Sequence, residues 1–156
     1  NLKASKRVYN CLILSALTYA DAAWGELSAM CDENLQQLQN RAARIIARRY
    51  RSNQAMTMLG CPLLKTIRKR NKCILVFKCL HDLVPKYLSE YFIRNSNVNS
   101  YNTRRCNDIH PPKPKLSLGK HTLRYSGTLL FNSLPLRIKA STSLTPFKNF
   151  IRQYNF

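Results

Sequence analysis

The chain has 156 residues, with 26 Lys and Arg against 7 Asp and Glu, for a formal net charge of +19. Hydrophobic residues make up 45% of it, which excludes a disordered basic tail, and four Gly leave little material for hairpin turns or a phosphate-cradling loop. A charge of this size attracts a polyphosphate backbone and predicts affinity that falls steeply with salt, an acidic membrane surface being the competing partner.

The first predicted helix covers residues 2–24, with Val8, Leu12, Ala16 and Leu17 at helical spacing and an end before Trp24-Gly25. No run in it reaches the roughly 20 apolar residues needed to span a bilayer. Asp32 is a fitting N-cap for a second helix, with Glu33 in the first turn, where negative charge suits the helix dipole. There Leu35, Leu38, Ala42, Ile45 and Ile46 share one face, and Arg41, Arg44, Arg48 and Arg51 gather on the other with Gln37.

A short segment from Gln54 to Leu59 stops at Gly60, and Pro62 restarts the chain. A third helix is predicted from Leu63 to Leu83, with Leu64, Ile67, Ile74, Leu75, Val76 and Leu80 for burial and Lys65, Arg68, Lys69, Arg70 and Lys72 crowding its first half. Pro85 ends it, and Tyr87, Leu88 and Phe92 read as an aromatic anchor. Residues 94–122 are polar, with Pro111, Pro112 and Pro114, and read as an extended linker. Helix resumes near Thr122 and runs to Leu134-Pro135, and Thr145-Pro146 opens a last helix with Phe147, Phe150 and Ile151 on its apolar face. The expected fold is all-α: a helical bundle over 1–92, a basic, Pro-containing extended linker over 93–122, and a C-terminal helix pair over 123–156.

The charge is uneven along these elements. Residues 1–40 hold three basic and four acidic residues, residues 41–94 thirteen against two, and residues 95–156 ten against one. The first forty residues are therefore expected to pack against protein, and the rest to form the electrostatic footprint. Three groups are candidates for phosphate contact: Arg41, Arg44, Arg48 and Arg51, spaced to meet successive phosphates bidentately; Arg68, Lys69, Arg70 and Lys72, which repel one another unless an anion lies near; and the extended stretch with Tyr101, Arg104, Arg105, Lys113, Lys115, Lys120, Arg124 and Tyr125, which suits single strands. Each also has a plainer reading, as a solvated face, a localisation signal or an ordinary linker.

Cys11, Cys31, Cys61, Cys73, Cys79 and Cys106 contain no C-x-x-C pair and read as reduced thiols in apolar helical stretches. Cys73, Cys79 and His81, or Cys106 with His110, do not have the spacing of a zinc site. Residues 3–22 imitate a secretory signal, but cleavage would leave an odd number of Cys, and no N-glycosylation acceptor follows. Tyr19-Ala20-Asp21-Ala22 invites comparison with the metal-binding Tyr-Ala-Asp-Asp of polymerases. The second carboxylate is missing, and two-metal chemistry needs carboxylates on both sides of the ion pair. No catalytic residue, metal ligand or cofactor site is expected.

Four blocks resemble the C-terminal region of non-LTR retrotransposon reverse transcriptases of the jockey-like and chicken-repeat-like group. They are VYNCLILSALTYADAAWG at 8–25, LQQLQNRAARII at 35–46, LLKTIRKRNKCILVFKCLHDLVPKYLSEYF at 63–92, and a fourth from YNTR at 101–104 through LGKHTLRYSGTLLFNSLP at 118–135 to SLTPFKNFIRQY at 143–154. The resemblance implies a thumb and the segment beyond it, gripping RNA template and DNA target or primer during target-primed reverse transcription. It places the catalytic carboxylates on an upstream polymerase domain, the implied protein partner. It also implies an intracellular ribonucleoprotein of nucleus and cytoplasm, with no membrane partner. A zinc knuckle found near the end of some related elements is absent here. The alternative is a stand-alone RNA- or DNA-binding protein derived from such an element.

Overall fold

The computed structural model describes residues 2–24, 28–48, 51–98, 101 and 104–156. Gly25, at the expected end of the first helix, and residues 102 and 103 of the fourth block lie outside them. The chain is mostly helical, and the described residues contain no strand, only an isolated antiparallel bridge between Arg94 and Ile109. It divides into two compact units, Asn1–Arg68 and Lys69–Phe156, a different division from the one expected at 92 and 123.

In the first unit, α1 (Leu2–Val8) passes through a π-helical stretch (Tyr9–Leu14) into α2 (Ser15–Thr18), and α3 (Asp21–Trp24) follows. The expected apolar face is turned outward: Val8 and Leu12 are exposed, whereas Tyr9 is fully buried. Asp21 is buried on α3. The second predicted helix is α4 (Ala29–Ala47); its N-cap is Ser28, whose side chain accepts from the Cys31 N–H, and Asp32 lies in the first turn.

The buried face of α4 is Gln39, Ala43 and Ala47, one position away from the predicted stripe, and Leu38 and Ile45 are exposed. The reason is its neighbour α5 (Ser52–Leu59): Ala43 and Ala47 pack with Ala55, Met56 and Leu59, and these small side chains permit close approach where Leu and Ile would not. Gln39 is satisfied inside, donating to the Tyr9 hydroxyl and the Pro62 carbonyl, each at 3.1 Å. Gln36 donates to Gln39 and accepts the Leu64 N–H at 3.0 Å, pinning the start of α6 (Leu64–Leu80).

The second unit surrounds Cys73, Val76, Phe77 and Cys79 of α6 with Phe92, Ile109, Phe131, Leu134, Ile138, Phe147 and Ile151. The helices are α7 (Lys86–Ser89), α8 (Asn95–Val98), a 3-10 turn (Ser117–His121), α9 (Leu123–Asn132), α10 (Leu136–Lys139) and α11 (Leu144–Gln153). Phe77 stacks on Phe147 with ring centroids 4.2 Å apart. Of the expected aromatic anchor Phe92 is buried and Tyr87 is exposed.

One residue of the expected linker, Ile109, belongs to this core. Ile109 has no solvent exposure. Its N–H donates to Asn132 Oδ1 at 3.0 Å, and Asn132 Nδ2 donates to its carbonyl at 2.8 Å. Backbone bonds from Asn95 to Asp108, Ser96 to Cys106 and His110 to Ile93 close the loop behind it. Lys139 pairs with Asp108 at 2.8 Å.

Candidate nucleic-acid interface

Four arginines lie along α4 and its exit. Arg41 and Arg44 are exposed on the helix and line a shallow surface groove with Asn34, Gln37 and Leu38. Arg48 caps the helix and Arg51 precedes α5; both are exposed. No carboxylate pairs with any of the four among the described residues. Arg48 has φ 50°, ψ 44°, the left-handed conformation that helix C-caps usually give to Gly. The other helix end in this hairpin follows the usual rule, with Gly60 at φ 60°. A long cation is therefore held where the backbone disfavours any β-carbon.

The run at the start of α6, the second candidate for phosphate contact, differs in exposure: two of its cations are buried and two are half-buried. Arg68 is only 4% exposed: it pairs with Asp32 through Nη1, and its guanidinium lies 5.0 Å from the Trp24 ring centroid. Lys72 is equally buried and donates to Ser126 Oγ at 3.0 Å. Lys69 and Arg70 are half-buried, the ammonium 5.9 Å from the Phe156 ring and Arg70 Nη2 3.5 Å from the Tyr154 carbonyl. Each of the four has a partner of its own: a carboxylate and an aromatic ring for Arg68, an aromatic ring for Lys69, a carbonyl for Arg70 and a hydroxyl for Lys72.

Arg104, Arg105, Lys120 and Arg124 are exposed on the second unit. Lys120 lies on the 3-10 turn and Arg124 in the first turn of α9, which holds no acidic residue. A cation there adds to the positive end of the helix dipole, so the arrangement favours an incoming anion. Of the twelve candidate cations, eight face solvent and four are turned inward.

Two residues not singled out in the sequence stand beside Arg51. Asn53 and Gln54 line a groove with Thr57 and Met58 and another with Arg51 and Ser52. The signal for them was the uncharged run Ser52–Leu59 in a chain this basic.

The buried Cys73 thiol is pushed up to about 12 by loss of hydration, and burial also raises Cys79, so neither is a nucleophile near neutrality. All six cysteines are free. Among the described residues no group of three or more His, Cys, Asp or Glu could hold a metal ion, and no helix is long and apolar enough to cross a membrane. The chain matches no family model, no curated protein and no solved structure.

Proposed function

We propose that this chain binds nucleic acid through the exposed arginines of α4 and its exit, as the template- and primer-gripping part of a retrotransposon reverse transcriptase. The observation that carries the binding is the set Arg41, Arg44, Arg48 and Arg51: exposed, without a carboxylate partner among the described residues, and in one case kept in a conformation an arginine disfavours. Guanidinium groups three and four residues apart on a helix meet phosphate oxygens bidentately. The polymerase context rests on the four blocks that resemble the thumb and the segment beyond it; under that reading the chain grips RNA and DNA, and the carboxylates are supplied upstream.

Arg41→Glu, Arg44→Glu and Arg48→Glu together test the binding. With an RNA–DNA hybrid as probe, the triple variant should lose affinity at moderate salt and show a flatter dependence on salt concentration. Its helical circular-dichroism signal should be that of the parent. Equal affinity of variant and parent at moderate salt refutes the proposal.

A further inference from the structure

We propose that α5 reads bases: Asn53, Gln54, Thr57 and Met58 face A·T pairs in the major groove of duplex DNA while the flanking arginines hold the phosphates. This rests on the nucleic-acid reading above and goes beyond it, from charge to sequence.

The helix has two sharply different sides. Ala55, Met56 and Leu59 are buried against α4, and Asn53, Gln54, Thr57 and Met58 are exposed. The exposed side carries no charge, although the chain has 26 cations. A face selected only for solvation in such a chain would draw on Lys, Arg or Glu. Asn and Gln are the side chains that donate to adenine N7 and accept from its N6 amino group at once, and the Thr methyl and Met thioether are apolar partners for the thymine methyl. The four residues therefore form a matched set for one kind of base pair.

The surroundings fit the same partner. An α-helix with its side chains is about 10–12 Å across, which the major groove, about 12 Å wide, admits. Arg48 and Arg51 lead into α5, and Arg51 shares a groove with Asn53 and Gln54, so a cation adjoins the amide face without interrupting it. Of the described acidic residues of the first unit, Asp21 is buried and Asp32 is engaged by Arg68, and the exposed Glu33 stands near the start of α4, at the other end of that helix from Arg44 and Arg48. A-form RNA offers no equivalent, its major groove being too deep and narrow for a helix.

The test uses the full chain and a pool of duplex DNA with a randomised centre, selected at moderate salt. Enrichment of a short run of A·T pairs is expected in the retained pool. N53A/Q54A should cut the preference for that run over a scrambled duplex by roughly tenfold or more, and the salt slope, which counts phosphate contacts, should stay that of the parent. The same sequence as an RNA duplex should be held only at the scrambled level.

A pool that binds without an enriched motif, a motif that survives in N53A/Q54A, or equal preference on RNA overturns base reading and leaves phosphate binding standing. Failure to retain any nucleic acid at low salt removes both.

Discussion

Arg48 separates the two things an exposed arginine can be, a surface residue or a binding residue, because its backbone and its side chain make opposite predictions. At φ 50° it sits in the left-handed region, where an L side chain costs roughly 1–2 kcal/mol relative to glycine. Arg48→Gly relieves that strain. Glycine gives back about 0.4–1 kcal/mol through the greater freedom of its unfolded chain, leaving a net gain of about 0.5–1 kcal/mol. For a chain of this size that is a rise in Tm of about 1–4 °C.

The guanidinium is lost in the same substitution. One fewer phosphate contact flattens the slope of log affinity against log salt by about 0.9 and weakens binding about fivefold near 0.15 M salt. Arg48→Ala serves as the control, since it loses the cation and keeps the strain: affinity should fall equally, with no gain in Tm. Thermal melts and salt titrations on the three proteins measure both quantities. Should Arg48→Gly bind with the parent's affinity and salt slope, the left-handed arginine is an accident of the turn, and the argument from it to phosphate contact collapses.

Two further outcomes concern the second unit. Asn132→Ala orphans the Ile109 N–H and carbonyl in a buried setting and should cost about 2–6 kcal/mol, at roughly 1–3 kcal/mol per group, read from the urea midpoint; a change under about 0.5 kcal/mol means that the loop is held without the clamp, since surface substitutions reach that size. His81 stacks on Phe77 at 4.1 Å, and its pKa is lowered by burial, with the Arg94 charge acting in the same direction. The unfolded chain therefore takes up this proton more readily, so the contribution of His81 is present above about pH 6.5 and is lost as the pH falls through the lower folded value. His81→Phe keeps the stacking and should flatten the stability profile between pH 7 and 5; an unchanged profile assigns the acid sensitivity elsewhere.

The helical class and the last helix were legible because their signals are local. Phe147 and Ile151 are buried as their spacing indicates, and Pro146 sits in the first turn of α11. The signals that failed were those decided by a neighbour. Leu38 and Ile45 form a better apolar stripe than Gln39, Ala43 and Ala47, yet the smaller set faces inward because α5 approaches closely there. Nothing in the spacing of α4 announces that partner. Ile109 is a single apolar residue in a polar stretch, and its burial depends on Asn132, which lies 23 positions away. The loop it anchors was therefore invisible to composition.

The role of a charge likewise depends on its neighbours. A count of Lys and Arg gives the field at a distance, which governs encounter and salt dependence, but a phosphate contact needs an accessible side chain. Arg68 and Lys72 contribute to the field of a +19 chain and are each only 4% exposed, so neutralising them removes buried partners rather than contacts. Their loss should unfold structure before it alters a salt slope. Arg41, Arg44, Arg48 and Arg51 have the opposite character, exposed and unpaired among the described residues, and their loss should change the slope without a melt. The two groups of four stand 17 residues apart in sequence and look alike there. What separates them is whether the fold offers each cation a partner of its own: Asp32 and Trp24 answer Arg68 and Ser126 answers Lys72, and among the described residues no carboxylate answers the α4 set.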